Sequence, residues 1–295
     1  MTRRVRLGVD TGGTFTDVVA VHEDTGDLVV AKTPSTPSDP AVGFMTGVHK
    51  VLDTLGLGGD AVSAVSHGTT VATNRLLEGR VENLGFVTND GYEFLLEIAR
   101  QSVPDGYGNS YFWVKPDRIV PLHLVREVPE RLDAGGAVLR PLDEDAVLAE
   151  AAWFRDHGVT AVGVCLLHAY ANPAHEQRVR DLFAEAYPEC SLSISSDVLR
   201  EYREYERSVT TLVDAFVKPT IATYVRTLAE RLAERTSRGV PFFVMKSNGG
   251  VTSAAVVMGL PATPEAEVTP PLDFITKNGT PPPVRSARRS ARVRT

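Results

Sequence analysis

Residues 7–19 are Leu-Gly-Val-Asp-Thr-Gly-Gly-Thr-Phe-Thr-Asp-Val-Val, and this stretch decides the fold. β-Branched residues flank a short segment with two glycines, a pattern that predicts two strands joined by a tight turn. Glycines let backbone amides approach an anion closely, and threonine hydroxyls add further hydrogen-bond donors. We therefore predict that this turn, the glycine loop (residues 11–16), binds phosphate through Thr11, Gly12, Gly13, Thr14 and Thr16.

Asp10 stands where the first predicted strand meets the glycine loop. A carboxylate at this point is poorly placed for packing and well placed to hold Mg²⁺, through water, beside a bound phosphate. We therefore predict that Asp10 is a catalytic residue, a phosphate-site contact and the metal ligand. Asp17, at the other end of the loop, fits either the same site or a cap of the turn. The alternative is an ordinary glycine hairpin without a ligand.

Three other motifs built from the same residue types fit less well. The pattern G-x-x-x-x-G-K-[ST] is absent, and the third glycine of G-x-G-x-x-G is missing after Gly12. The triplet from Asp10 to Gly12 matches the aspartic-protease motif, which needs two carboxylates that share a proton. No second D-[TS]-G occurs in the chain, so a protease would have to be a homodimer.

The charge distribution argues against a nucleic-acid partner. The chain has 295 residues, 43% of them hydrophobic, and a net charge of −6, which predicts a sizeable core and about two domains. Five arginines and no acidic residue lie in the last 15 positions, so residues 1–280 carry −11. An acidic body of this kind does not present the basic surface that nucleic acids require.

The cysteine content and the hydropathy pattern favour a cytoplasmic protein. Cys165 and Cys190 are too few for a disulfide framework, which fits a reducing compartment. No signal-length apolar region follows the start, and no segment approaches the roughly 18 apolar residues of a membrane span. We therefore expect no export and no membrane insertion.

The first 88 residues have the element order of an RNase H-like α/β fold with a mixed sheet. Strands are predicted at 5–10, 17–22 and 28–32 as an antiparallel meander. A helix follows from Pro40 to Leu55, with Asp39 as its cap and Gly56 as its stop. A strand at 61–66, a helix from Thr69 or Thr70 to Leu77 and a strand at 83–88 complete the order β-β-β-α-β-α-β.

The later part of the chain alternates helices and strands and then loses its pattern. We predict a helix from Asp143 to His157, a strand at 159–167 and a helix from Asn172 to Tyr187. A long helical stretch follows, which we expect to break at Pro219, and then a strand at 242–245. The segment 102–121 is predicted to be a long ordered excursion.

We predict three parts along the chain. Residues 1–200 form the first domain, and residues 201–258 form an incomplete second domain with too little apolar surface to close its own core. Residues 259–295 contain many prolines and arginines without hydrophobic periodicity, which predicts a disordered tail.

Several blocks in a fixed order resemble the hydantoinase/oxoprolinase family over about residues 5–258. Besides residues 10–17, the blocks are Ser-His-Gly-Thr-Thr-Val-Ala-Thr-Asn at 66–74, Leu-Glu-Ile-Ala-Arg-Gln at 96–101, Glu-Val-Pro-Glu-Arg at 127–131, the stretch 165–176, Arg-Glu-Tyr-Glu-Arg at 203–207 and Ser-Asn-Gly-Gly at 247–250. The first block is shared with other actin-like ATPases, but the combination is specific.

This resemblance implies an actin-like ATPase fold and an ATP-dependent opening of a cyclic amide such as a hydantoin or 5-oxoproline. ATP and Mg²⁺ are the implied cofactors, and a hydantoinase B type subunit or domain is the implied partner. Phosphorylation of the carbonyl oxygen makes attack by water on an unstrained lactam feasible. Two alternatives remain: an ATP-dependent ketone carboxylase subunit, and a non-catalytic module that binds a partner.

One departure from the family pattern bears on activity. Family members continue to a second D-x-G-G-T-x-x-D loop, which supplies the other phosphate contacts of the nucleotide cleft. This sequence lacks it. We therefore expect a truncated chain, the product of a frameshift near residue 260, that lacks full activity alone.

His67 and the residues after it are the second group of candidates. His67 ends a predicted strand before Gly68, so it is predicted either to contact substrate, phosphate or metal, or to organise the turn by hydrogen bonds. We predict catalytic roles for His67 and Thr69 and phosphate contacts for Thr70 and Asn74.

Other charged residues have simpler interpretations. Glu97 and Arg100 are three residues apart on a predicted helix end, which predicts an ion pair. His168, His175 and Glu176 could form a metal cluster, but Asn172 is better explained as a helix cap. The charged run at 200–207 predicts a solvated or domain-bridging face.

Overall fold

The computed structural model describes residues 4–77, 81, 83–100, 117–236, 239–245 and 250–259. The strands in these ranges are β1 (Val5–Thr11), β2 (Phe15–His22), β3 (Leu28–Pro34), β4 (Val62–Thr69), β5 (Leu84–Asn89), β6 (Val125–Val128), β7 (Arg131–Leu132), β8 (Val138–Arg140), β9 (Ala161–Val164), β10 (Ser191–Ile194), β11 (Phe242–Met245) and β12 (Val251–Ser253). The helices are α1 (Pro40–Leu55), α2 (Val71–Leu77), α3 (Leu95–Ile98), α4 (Glu144–Asp156), α5 (Ala174–Ala186), α6 (Ser195–Val198), α7 (Glu204–Arg235) and α8 (Ala254–Val257).

A six-stranded mixed sheet contains the start of the chain, in the order β12-β11-β4-β1-β2-β3. β1, β2 and β3 pair antiparallel, as the predicted meander requires. β4 pairs with β1 in parallel, and β11 pairs with β4 in parallel. The predicted α/β class with a mixed sheet is confirmed.

Helix α1 covers one face of this sheet and begins and ends where the sequence predicts. The Asp39 side chain accepts a hydrogen bond from the Ala41 amide, and Gly56 ends the helix in the left-handed conformation. The helix lies very close to the sheet, because a Cβ at Gly47 would come within 2.5 Å of a methyl carbon of Val18. Glycine is therefore required there for packing.

The predicted element order β-β-β-α-β-α-β is observed, but the strand β5 does not join the first sheet. It lies in a second sheet of four parallel strands, ordered β10-β9-β5-β6. All six residues of β5 are buried, so the strand needs cover on both faces. The place beside β4 is taken instead by β11, which comes from far along the chain.

Helix α7 connects the two sheets and runs unbroken through Pro219, so the predicted break there is wrong. Proline removes one hydrogen bond and its ring crowds the preceding turn, and packing on both sides of Pro219 outweighs this cost. Its first half packs on the second sheet, where a Cβ at Gly163 would come within 2.9 Å of the Leu212 side chain. Its second half contributes Tyr224, Leu228 and neighbouring residues to the core beneath the first sheet.

The predicted boundary near residue 200 stays a prediction. Beyond it, β11 and β12 extend the first sheet and α7 packs on both sheets. The predicted tail after residue 259 and most of the predicted excursion at 102–121 lie outside the described residues. Within the described ranges, no helix is both long and apolar enough to cross a membrane.

Arg207 is buried, which corrects the predicted solvated face at this position. Its side chain is 1% exposed and donates hydrogen bonds to the Ser195 hydroxyl (3.0 Å) and to the Leu166 carbonyl oxygen (3.0 Å). The Ser195 hydroxyl donates in turn to Glu176, whose carboxylate also accepts from the Leu166 amide. Burial raises the pKa of Glu176. The network joins α5, α6 and α7 at the end of the second sheet.

The predicted ion pair between Glu97 and Arg100 is not formed. Glu97 instead pairs with Arg118 at 3.1 Å, and Arg100 pairs with Glu206 at 2.5 Å. Helix α3 ends at Ile98, so Arg100 lies beyond it and does not share a helical face with Glu97.

Replacement of Arg207 by alanine is expected to lower the free energy of unfolding by about 3 kcal/mol, because it leaves buried polar groups without partners. Urea unfolding measures the change. Arg203→Ala, an exposed arginine one turn earlier on the chain, is the matched control and is expected to change stability by less than about 0.5 kcal/mol. Equal changes in the free energy of unfolding for the two substitutions would contradict a stabilising role of the Arg207 network.

Candidate functional site

A cleft of about 650 Å³ opens beside the glycine loop. Four segments of the chain, distant in sequence, form its walls. They are Thr11, Gly12 and Gly13; residues 35–41 at the start of α1; Thr70, Val71, Asn74 and Arg75 around α2; and Pro219, Thr220, Thr223, Tyr224 and Thr227 of α7.

The pairing of β1 with β4 brings the two predicted groups of site residues together. In the parallel register, Asp10 lies beside Gly68 and Thr11 lies beside Thr69. The amide and the hydroxyl of Thr70 both donate to the Thr11 carbonyl oxygen, at 3.3 and 3.4 Å. The Asn74 amide group donates to the Thr70 hydroxyl at 3.4 Å. The glycine loop and α2 thus form one edge of the cleft.

The glycine loop is held by its own turn and by Ser35. The Gly12 amide donates to the Phe15 carbonyl oxygen at 3.0 Å, and the Ser35 hydroxyl donates to the Gly12 carbonyl oxygen at 2.7 Å. Because the Ser35 proton is used there, the Thr16 hydroxyl donates to Ser35 at 3.0 Å. Thr16 is fully buried, so it supports the loop and does not line the cleft.

Two amides of the glycine loop remain available to a ligand. Within the described part of the chain, the Gly13 and Thr14 amides have no hydrogen-bond acceptor. Gly13 lines the cleft, and the exposed Thr14 follows it without being part of the cleft wall. A turn with free, outward amides is the arrangement that binds anions.

Asp10 lies at the carboxyl end of β1 on the sheet face opposite to Thr11, beside the cleft and not in its wall. Its side chain is exposed and has no ion pair or hydrogen bond with any described residue. The opposite residue on β2, Asp17, is neutralised by Lys32 at 3.0 Å. A Cβ at Gly68 would lie 3.2 Å from a carboxylate oxygen of Asp10, so glycine leaves room for this side chain.

Mg²⁺ fits this donor set in one specific way. The described residues contain no group of three or more metal-ligating side chains, so the protein alone does not enclose an ion. Mg²⁺ commonly binds through one or two carboxylates together with substrate phosphates and water. Asp10, with its free carboxylate next to the glycine loop, matches that requirement.

His67 lies inside the core, which corrects the prediction of a direct contact with substrate, phosphate or metal. Its ring is fully buried, hydrogen-bonded to the Val9 carbonyl oxygen (3.2 Å) and to the Tyr224 hydroxyl (2.9 Å). Phe44 and Phe242 pack around it. Burial lowers the pKa of His67 to about 4, so the ring is neutral at physiological pH. Its position fits the alternative interpretation given above, a histidine that organises the turn by hydrogen bonds.

Thr69 is the last residue of β4 and does not line the cleft. Its hydroxyl accepts a hydrogen bond from the Val71 amide at 3.2 Å, a local turn that leads into α2. The cleft therefore collects Thr11, Gly12, Gly13, Thr70 and Asn74 of the predicted residues, while Asp10 and Thr14 lie next to it.

Sequence reasoning missed two walls of the cleft. One is the segment 35–41 at the start of α1, and the other is the face of α7 around Thr223. An ion pair between Arg231 and Asp39, at 2.6 Å, joins these two walls. The Asp39 cap was the available signal for the wall at α1, and the sequence offered no such signal for the wall at α7.

His168, His175 and Glu176 lie between β9 and β10 and do not form a metal-ligand group with any described residue. His175 contacts the buried Glu130 carboxylate at 2.6 Å, and Glu176 belongs to the Arg207 network. The Asn172 side chain accepts from the Ala174 amide, but Pro173 occupies the N-cap position of α5, so Asn172 lies one position before the cap.

The family model for the hydantoinase/oxoprolinase N-terminal region matches residues 6–187, and the hydantoinase/oxoprolinase model matches residues 207–263. The chain belongs to the hydantoinase/oxoprolinase family. The predicted resemblance is confirmed. The first match ends at residue 187 and the second begins at residue 207.

Related proteins with curated names include hydrolase and carboxylase subunits. The chain is 33% identical over 260 residues to caprolactamase subunit alpha of Pseudomonas jessenii, covering 86% of this chain and 37% of that protein. It is 30% identical over 266 residues to acetone carboxylase beta subunit of Xanthobacter autotrophicus, covering 84% and 36%. It is 28% identical over 277 residues to 5-oxoprolinase 1 of Arabidopsis thaliana, covering 84% and 21%.

Two solved structures share this fold. The crystal structure of ATP-dependent caprolactamase from Pseudomonas jessenii has a TM-score of 0.76 at 32% identity, over 86% of this chain and 38% of that one. The nucleotide-free acetone carboxylase structure has a TM-score of 0.76 at 27% identity, over 87% and 38%. The α/β architecture is thus consistent with the actin-like ATPase fold. The chain spans less than two fifths of the length of these relatives.

Acid is expected to destabilise the fold through His67. Its folded-state pKa is about 4 and its usual pKa is 6.5, so the unfolded chain binds the proton first as the pH falls. Above pH 6.5 the contribution of His67 to the free energy of unfolding is fully present. Between pH 6.5 and pH 4 we expect the free energy of unfolding to fall by an amount on the order of 3 kcal/mol because of this group.

Urea unfolding at several pH values measures this loss. His67→Gln is expected to flatten the pH dependence in that window, whereas His49→Gln, at an exposed position of α1, is expected to leave it unchanged. A His67→Gln profile parallel to that of the unsubstituted chain would contradict the assignment.

Proposed function

We propose that this chain provides the phosphate-binding side of an ATP-dependent enzyme that activates a carbonyl group, and that its substrate is a cyclic amide. The observation that carries the proposal is the pair of free amides at Gly13 and Thr14 beside the cleft. The fold and the ATP-dependent relatives support it.

The walls of the cleft suit an anionic ligand. The first turn of α1 forms one wall, and the positive end of a helix of 16 residues favours negative charge. The Asp39 carboxylate at that position is paired with Arg231, so it opposes a phosphate less strongly than a free carboxylate. The Thr70 hydroxyl and the Asn74 amide group add uncharged polar contacts on the other side.

Each residue then has a distinct task. Gly13 and Thr14 donate backbone hydrogen bonds to phosphate oxygens, and Asp10 holds Mg²⁺ through water. Ser35 and Thr16 keep the loop in its shape. When bound, Mg·ATP supplies a phosphoryl group, which turns a poor carbonyl electrophile into one with a good leaving group. For such a phosphoryl transfer the protein must position the reacting groups and neutralise the charge of the phosphate.

Caprolactamase and 5-oxoprolinase among the relatives support a cyclic amide as the substrate. Acetone carboxylase supports a ketone as the second candidate. For an intact homologue that contains both phosphate loops, ATP turnover with a lactam and without bicarbonate is expected for the first candidate. Turnover that requires both a ketone and bicarbonate would favour the second.

We further propose a partner subunit of the hydantoinase B type and a cytoplasmic location. The relatives named as alpha and beta subunits support the partner. The free thiols of Cys165 and Cys190 support a reducing compartment.

Asp10→Asn is expected to weaken binding of a non-hydrolysable ATP analogue at least about tenfold in Mg²⁺, because it removes the charge that holds the metal. With a chelator in place of Mg²⁺, the variant and the unsubstituted chain are expected to bind alike. Isothermal titration calorimetry on the 295-residue chain measures both conditions.

Asp53→Asn is the matched control. Asp53 is exposed near the far end of α1, and its replacement is expected to change neither affinity. Binding that is independent of Mg²⁺ and of Asp10 would contradict the metal role. Absence of analogue binding by the unsubstituted chain would contradict the proposed function.

A further inference from the structure

Among the described residues that form the wall of the cleft, Asp39 is the only one with a carboxylate. It stands at the N-terminus of α1, where the positive end of the helix attracts an anion. A phosphate in the cleft and this carboxylate carry charge of the same sign, and water screens their repulsion less inside a cleft than in bulk solvent. Phosphate binding therefore requires that the charge of Asp39 be compensated.

The Asp39 carboxylate is fixed in place relative to the glycine loop. One of its oxygens accepts a hydrogen bond from the Ala41 amide at 3.1 Å and so caps α1. The chain just before it is attached to the loop, because the Ser35 amide donates to the Thr14 carbonyl oxygen at 2.9 Å and the Ser35 hydroxyl donates to the Gly12 carbonyl oxygen at 2.7 Å. The carboxylate cannot move away from the site without loss of the cap.

Arg231 of α7 supplies the compensating charge. Its guanidinium donates a charge-assisted hydrogen bond of 2.6 Å to the second carboxylate oxygen of Asp39. Arg231 lies one helical turn beyond Thr227, which lines the cleft, but Arg231 itself is not part of the wall. It therefore acts on the cleft through Asp39.

We propose that Arg231 is a positioning residue that holds and neutralises the Asp39 carboxylate, so that α1 keeps its acidic cap while the cleft accepts a phosphate. This inference rests on the proposed function and gives a task to a residue of α7 outside the cleft wall. Arg231 touches neither the nucleotide nor a reacting atom.

The proposal predicts opposite effects on nucleotide affinity for the two partners of the ion pair. Arg231→Ala leaves the negative charge of Asp39 uncompensated beside the phosphate. Asp39→Asn removes that charge, retains an oxygen that caps the helix, and leaves the positive charge of Arg231. A purely structural ion pair would instead give the same effect for both substitutions, because either one breaks it.

The variants are expected to remain folded. The side chains of Arg231 and Asp39 are 33% and 41% exposed, and ion pairs at such positions contribute little to stability. Urea unfolding verifies this for each variant. Arg226→Ala is the matched control, because Arg226 is an exposed arginine of the same helix and its replacement changes the net charge by the same amount.

The first measurement is the affinity of the 295-residue chain for the Mg²⁺ complex of a non-hydrolysable ATP analogue, by isothermal titration calorimetry at low ionic strength. Arg231→Ala is expected to weaken binding about three- to tenfold, and Asp39→Asn is expected to strengthen it about twofold. Adding Asp39→Asn to Arg231→Ala is expected to restore the lost affinity. Arg231→Lys, which keeps the charge, is expected to lose less affinity than Arg231→Ala.

The second measurement repeats the comparison at increasing salt concentration. The difference between Arg231→Ala and the unsubstituted chain is expected to shrink, because the screening length falls from about 10 Å at 0.1 M salt to about 3 Å at 1 M. A difference that persists unchanged at 1 M salt would overturn the electrostatic role, since a structural effect does not depend on screening.

The outcomes separate this inference from the proposed function. If the unsubstituted chain binds the analogue and Arg231→Ala binds it as tightly as Arg226→Ala does, the role of Arg231 is overturned and the proposed function stands. If Asp39→Asn weakens binding as much as Arg231→Ala, the ion pair is merely structural and the inference is again overturned. Absence of binding by the unsubstituted chain would contradict both the proposed function and this inference.

Discussion

The parallel pairing of β1 with β4 is the constraint on which the site depends. It joins residues nearly 60 positions apart and sets Asp10 beside Gly68 and Thr11 beside Thr69. One residue of slip would turn Asp10 towards α1 and Thr11 towards solvent, because side chains alternate between the faces of a sheet. The core beneath β1 prevents that slip, since Val5, Leu7 and Val9 are all buried there.

Helix α7 is the second constraint, because it packs on both sheets. The Arg207 network holds its first half to the second sheet, and Tyr224 holds its second half to β4. The cleft lies where the helix passes from one sheet to the other, at Pro219. The shape of the cleft is therefore set by long-range packing, and a polar network far from the glycine loop contributes to it.

The sequence predicted the local features well because they have local causes. The hairpin of β1 and β2 follows from its glycines, and the limits of α1 follow from Asp39 and Gly56. Five of the cleft's residues were found from the sequence, three in the glycine loop and two in the segment after Gly68. The burial of His67, the place of β5 and the wall formed by α7 depend on contacts between distant segments, which no spacing along the chain reveals. Pro219 misled the prediction because its usual effect was outweighed by packing.

The central claim is that the glycine loop binds the phosphates of a nucleotide in the cleft. A crystal structure of the chain with Mg²⁺ and a non-hydrolysable ATP analogue tests it most directly. We expect phosphate oxygens within hydrogen-bond distance of the Gly13 and Thr14 amides, with the metal ion on the Asp10 side. Nucleotide bound at another place, with the Gly13 and Thr14 amides facing only water, would contradict it.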